Sequence, residues 1–146
     1  MNRINIEKIK KLSSEIKSSL KELRRIATLS EKEFLTNSDK IGSSKYNLIV
    51  AIQAAIDICN HLVAKEGTRV PEDYVDCFKI LGEMGIIEQN FAKRLATMVK
   101  FRNLLIHLYW NIDNSKVYKI LQENLSDFEE FLKKIRNHIA QGAKQK

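Results

Sequence analysis

Scarcity of chain-breaking residues constrains this sequence more than any motif: 146 residues contain one proline, Pro71, and five glycines. A sheet protein of this length needs many tight turns, and those turns draw on Gly and Pro for backbone angles that other residues avoid. Long helices joined by few connections need far fewer, so an all-α chain is expected. The apolar pattern points the same way. Ile9, Leu12, Ile16, Leu20, Leu23 and Ile26 recur at three- and four-residue steps, which lines one face of a helix.

Extending that reading gives helices from about Ile4 to Leu29, Asp39 to Lys65, Ile87 to Leu108 and Ser115 to Ile139. A shorter helix has Pro71 in its first turn, Glu72 and Asp73 complementing its dipole, and Tyr74, Phe78 and Leu81 on its core face. The second helix is apolar on nearly every side between Leu48 and Cys59, as a bundle's central helix is. Gly82 and Gly85 separate the third and fourth helices, and Trp110 to Asn114 forms a short polar loop before the last. No repeat, linker or boundary divides the chain. The expected architecture is a four- to five-helix up-and-down bundle, residues 1–146 forming one domain with 139–146 as a frayed tail.

Charge and cysteines narrow the function classes. A formal net charge of +7 favours a polyanionic partner, because basic side chains release counterions held by phosphates. Most of the basic runs, Lys8–Lys11, Lys21–Arg25 and Lys133–Lys146, fall within helical patterns and read as solvated faces. Cys59 and Cys77 lie in apolar stretches without CxxC spacing and read as a buried, reduced pair. No signal peptide is recognisable, and no run approaches the roughly 20 apolar residues of a membrane span. A cytoplasmic protein without membrane contact is expected. There is no glycine-rich phosphate loop, HExxH or Cys–His cluster, so no cofactor or metal is expected.

Three histidines remain: His61 at the edge of an apolar helix, His138 near the basic end, and His107. The company of His107 sets it apart. Asn103, four residues earlier, shares its face, whereas Arg102, five residues earlier, diverges by ~140° on a regular helix. One straight helix therefore does not aim both at a single phosphate. A bend near the helix end, or two copies meeting across a two-fold axis, brings an Arg and a His into one cleft. Such a pair suits RNA cleavage without metal. Neutral imidazole accepts a proton from the ribose 2′-OH, imidazolium donates one to the leaving 5′-oxygen, and arginine stabilises charge on the phosphoryl oxygens. Asn103 would orient the imidazole or bind phosphate.

The segment Arg102-Asn103-Leu104-Leu105-Ile106-His107-Leu108-Tyr109-Trp110-Asn111-Ile112-Asp113 resembles the signature of the HEPN superfamily in its HepT toxin-like branch. That signature is Arg, four intervening residues, His, one residue, then Tyr; Ile106 stands where valine is usual. Ala51 to His61 is similar to the branch's second helix, and Pro71-Glu72-Asp73-Tyr74 with Phe78 and Leu81 to its third, so the likeness spans roughly residues 40–135. It implies a homodimeric, metal-independent endoribonuclease toxin, with Arg102 and His107 catalytic and Asn103 supporting. It further implies an MntA-like nucleotidyltransferase antitoxin that silences the toxin by adenylylating Tyr109. The competing expectation is a non-cleaving subunit that binds nucleotide or substrate for, or regulates, that partner.

Overall fold

A computed structural model describes residues 4–144. Its elements are α1 (Ile6–Ala27), α2 (Glu31–Leu35), α3 (Ser38–Glu66), α4 (Tyr74–Glu83), α5 (Gln89–His107), α6 (Asn114–Glu123) and α7 (Leu125–Lys144), with no strand among the described residues. The all-α expectation holds, and among the described residues the helices number seven for local reasons. Ser30 and Glu33 form a capping box, each side chain accepting the other's backbone N–H, which nucleates the short α2. Ser-x-x-Glu is the sequence signal for that helix. The expected final helix breaks at Asn124, which caps α6 and whose carbonyl accepts the Asp127 N–H at 3.1 Å. Asparagine competes with the helix for its own backbone and favours such ends.

Two further boundaries differ. Pro71 lies outside α4, because Asp73 is the N-cap and its side chain accepts the Asp76 N–H at 2.7 Å. At the other end of the chain α7 continues to Lys144, past the Ile139 limit expected from sequence; residues 145–146 lie outside the described residues. The break before α5 falls at Gly85, whose φ of +75° an L side chain rarely adopts.

Long-range contacts fix the helix directions. Asn5, at the start of α1, donates its N–H to His61 near the end of α3, so α1 and α3 are antiparallel. Arg24 of α1 pairs with Glu129 of α7 at 2.6 Å, while His138 of α7 meets Glu66 of α3 at 2.8 Å. Thus α1 opposes α7, and α3 and α7 run together. His138 is therefore engaged with α3.

The centre is α3, which touches α1, α2, α4, α5, α6 and α7. Leu48, Ile56, Ile58 and Leu62 are fully buried along it, and Phe34, Phe78, Phe128 and Phe131 fill the space between its neighbours. By length and apolarity alone α3 would reach across a bilayer, but most of its apolar window is buried inside the bundle. Burial of that helix is the main stabilising term, at roughly 25 cal/mol per Å² of apolar surface. Cys59 and Cys77 are both buried and unbridged, as expected, with their Sγ atoms 2.9 Å apart.

Candidate active site

The carboxyl-terminal half of α5 lies antiparallel along α3, and their seam gathers most of the residues singled out by sequence. Arg102 faces inward. Its Nη1 donates to Asn103 Oδ1 at 2.9 Å and its Nη2 to Gln53 Oε1 on α3. Gln53 Nε2 in turn donates to Asp57 Oδ1 at 2.9 Å, one helical turn further along. With its nitrogen committed to Asp57, the Gln53 amide can offer only its oxygen to the arginine. Arg102 Nε is buried with no hydrogen-bond partner, and the guanidinium carbon lies 5.9 Å from the centre of the Tyr74 ring.

This arrangement holds a cation without neutralising it. Both partners of Arg102 are neutral amides, and no carboxylate among the described residues forms an ion pair with it. A half-buried guanidinium without a carboxylate partner is suited to an incoming oxyanion, since a phosphoryl group accepts paired N–H donors from arginine.

His107 is placed differently. It is the last residue of α5 and exposed, and its ring makes no hydrogen bond to another described residue. Because α5 stays helical through His107, the divergence from Arg102 persists within one chain. The helix ends only after His107, at Leu108. Asn103 is brought to Arg102 and makes no hydrogen bond to His107.

Beyond His107 the chain leaves the helix. Leu108 has φ −125° and ψ 32°, and its N–H still reaches Leu104 O at 2.8 Å. Tyr109 then folds back on α3. Its carbonyl accepts from Lys45 Nζ at 2.8 Å, and the same ammonium lies 4.7 Å from the ring centre. A Cβ built on Gly42 would sit 3.9 Å from the Tyr109 hydroxyl, so the ring lies along α3 from Lys45 towards Gly42. Lys45 itself is only 5% exposed, and burial pulls its pKa below the usual lysine value.

Around this seam the surface is apolar. Leu104, Ile106 and Leu108 are each about half exposed, Trp110 is 90% exposed, and Tyr46 is 64% exposed. Tyr74, expected in the core, is 41% exposed and lies beside Arg102 instead. Among the described residues no group of three His, Cys, Asp or Glu side chains is placed to hold a metal ion.

Four participants escaped the sequence reading: Gly42, Lys45, Gln53 and Asp57. Gln53 and Asp57 had a signal, being polar residues four apart inside an otherwise apolar helical run. Lys45 and Gly42 had none, because only the tertiary fold brings Tyr109 to them.

Comparison with known proteins places the chain in a family. The family model described as Ribonuclease HepT-like matches residues 16–135. The mRNA nuclease HepT of Shewanella oneidensis is 32% identical over 90 residues, covering 62% of this chain and 68% of that protein. The tRNA nuclease HepT of Aphanizomenon flos-aquae is 25% identical over 120 residues, 82% of each chain. A solved structure of the tri-AMPylated Shewanella oneidensis HEPN toxin in complex with MNT antitoxin superposes with a TM-score of 0.80 at 29% identity, covering 94% of this chain and 99% of that one.

Proposed function

This chain belongs to the HepT-like ribonuclease family, and on that premise we propose that it is a toxin that cleaves RNA without metal, residues 1–146 acting as one HEPN-like domain within a homodimer. Arg102 and His107 carry the chemistry. Two-fold pairing through the apolar end of α5 and the turn after it (Leu104, Ile106, Leu108 and Trp110) covers the exposed patch and brings the Arg102 of one copy near the His107 of the other. His107 accepts the 2′-OH proton, the 2′-oxygen attacks phosphorus, and the 5′-oxygen leaves with a proton from an imidazolium. Arg102 meets the charge that grows on the phosphoryl oxygens. Asn103 and Gln53 hold the guanidinium in place.

The single observation that carries the reading is Arg102, half-buried in the seam and held by two neutral amides, with no carboxylate among the described residues paired to it. The partner is a small nucleotidyltransferase antitoxin of the MntA kind, which silences the toxin by transferring adenylyl groups to Tyr109. Such a group would place bulk and negative charge beside the seam. The test is to incubate purified protein with RNA in chelator and analyse the new ends. Expected are 2′,3′-cyclic phosphate and 5′-hydroxyl ends, which disappear in Arg102→Ala and in His107→Ala. Ends carrying 5′-phosphate, or cleavage surviving both substitutions, would overturn the proposal.

A further inference from the structure

Lys45 presents an unusual charge. It is nearly fully buried, yet no carboxylate among the described residues pairs with it. Burying an ammonium is unfavourable unless its donors and its charge are met. Of its three N–H donors, the described residues engage one, through the Tyr109 carbonyl at 2.8 Å. The ring face of Tyr109 offsets part of the charge at 4.7 Å. Three residues earlier on the same face of α3, Gly42 leaves open the space where a side chain would approach the Tyr109 hydroxyl.

We propose that Lys45 and Gly42 form a receiving site for the phosphodiester of an adenylylated Tyr109, latching the modified ring against α3. The inference rests on the proposed modification of Tyr109. In that step the phenolic oxygen attacks the α-phosphorus of a nucleoside triphosphate. An O–P bond forms, the bridging bond to the β-phosphate breaks, and pyrophosphate leaves with the electron pair. The phenolic proton passes to solvent. The product carries one negative charge beside the former hydroxyl, where Gly42 supplies room, and Lys45, over the same ring, supplies the cation. A charge-assisted hydrogen bond in a partly desolvated site is among the stronger pairings available to a lysine. The anion also relieves the burial that lowers the pKa of Lys45.

A merely structural Lys45, serving only to hold the Tyr109 carbonyl, is separable from a latch by two substitutions. Lys45→Gln keeps an N–H donor for that carbonyl and removes the charge, whereas Lys45→Arg keeps the charge. Wild type and both variants are incubated with ATP and the nucleotidyltransferase antitoxin, then followed by intact mass, phosphorus NMR and thermal unfolding. All three are expected to gain mass at Tyr109. Modification is expected to raise the melting temperature of wild type and Lys45→Arg by about 2–6 °C, and that of Lys45→Gln by much less. The phosphodiester resonance of Lys45→Gln is expected to stand apart from the other two.

If all three proteins gain mass but show the same resonance and the same thermal gain, the latch is wrong and the modification stands. If Tyr109 of wild type gains no mass, the modification itself is wrong and the latch falls with it. Should Lys45→Gln fail to fold, nitrogen-labelled lysine NMR on wild type reads the same contact. The Lys45 ammonium resonance moves on modification if the latch forms, and its staying in place overturns the proposal.

Discussion

Two arginines in this molecule carry the same group in opposite company. Arg69, on the connection before α4, is met by two carboxylates: Asp76 takes Nη1 and Nη2 at 2.7 and 2.9 Å, and Glu83 takes Nη2 at 3.0 Å. Its charge is satisfied, the connection is fastened to α4, and Asp76 is held down at a pKa of about 2 by the guanidinium. Arg102, on α5, has among the described residues the amide oxygens of Asn103 and Gln53 and the ring of Tyr74, and no carboxylate. One arginine is finished by the fold. The other is positioned by the fold and, in the function proposed above, meets the phosphoryl group of the RNA. The company of a cation, more than its identity, separates a fastening from a binding site.

The largest effect that sharpens this contrast comes from truncating each arginine. Arg102→Ala is expected to lower the RNA cleavage rate by about 10²–10³-fold while leaving the thermal unfolding midpoint nearly unchanged, since removing a group that stabilises transition-state charge has that magnitude. Arg69→Ala is expected to do the reverse, keeping cleavage and slightly lowering the midpoint. Parallel cleavage assays and melting curves on the two proteins read both halves.

A smaller effect comes from changing the company of Arg102. Gln53→Leu removes its α3 anchor and leaves the arginine itself in place, so cleavage is expected to fall by up to about a hundredfold through misplacement. Asp57→Asn is expected to fall less, because Gln53 remains and only its orientation is loosened. Giving Arg102 a neutralising partner with Gln53→Glu is a sharper version. Substrate KM is expected to rise for that variant, because a carboxylate then competes with phosphate. An unchanged KM would count against the oxyanion reading.

The pH dependence separates the arginines again. The carboxyl of Asp76 is lowered in the folded state from an ordinary value near 3.9 to about 2. The clasp therefore contributes fully above about pH 3.9 and is lost as pH falls through about 2. In melting curves the gap between wild type and Arg69→Ala is expected to close over that interval, while Arg102→Ala tracks wild type throughout. The smallest expected effect lies at His61, whose ring nitrogen accepts the Asn5 N–H at 2.8 Å. Burial, aided by Lys8 and Lys65, lowers its pKa, so its contribution is present above about pH 6.5 and declines as pH falls below it. Loss of that decline in His61→Gln would be the check.

How much of this was legible in the sequence follows from the range of the interactions. The stripe from Ile9 to Ile26 and the apolar run from Leu48 to Cys59 are local patterns, and α1 and α3 appeared where those patterns put them. The break at Asn124 and the capping of α4 by Asp73 were missed because single polar residues decide them, and periodicity averages over such residues. At the site, Arg102, Asn103, His107 and Tyr109 were visible as one segment. Their roles relative to α3 were not, because Gln53 and Lys45 lie 49 and 64 residues away in the chain. The ~140° divergence of Arg102 and His107 was readable from spacing, and the unbroken α5 leaves pairing between copies as the expected route to a shared cleft.

The central claim, that Arg102 of one copy works with His107 of another, is tested most directly by mixing two inactive proteins. Arg102→Ala and His107→Ala, each inactive alone, are co-refolded or co-expressed with different tags, and the mixed dimer is isolated by tandem purification. It retains one Arg102 and one His107 on opposite subunits. If the site is shared between copies, the mixed dimer is expected to recover RNA cleavage, up to about half the wild-type rate per dimer. A mixed dimer as inactive as its parents would show that both groups must come from one chain, and would contradict the account.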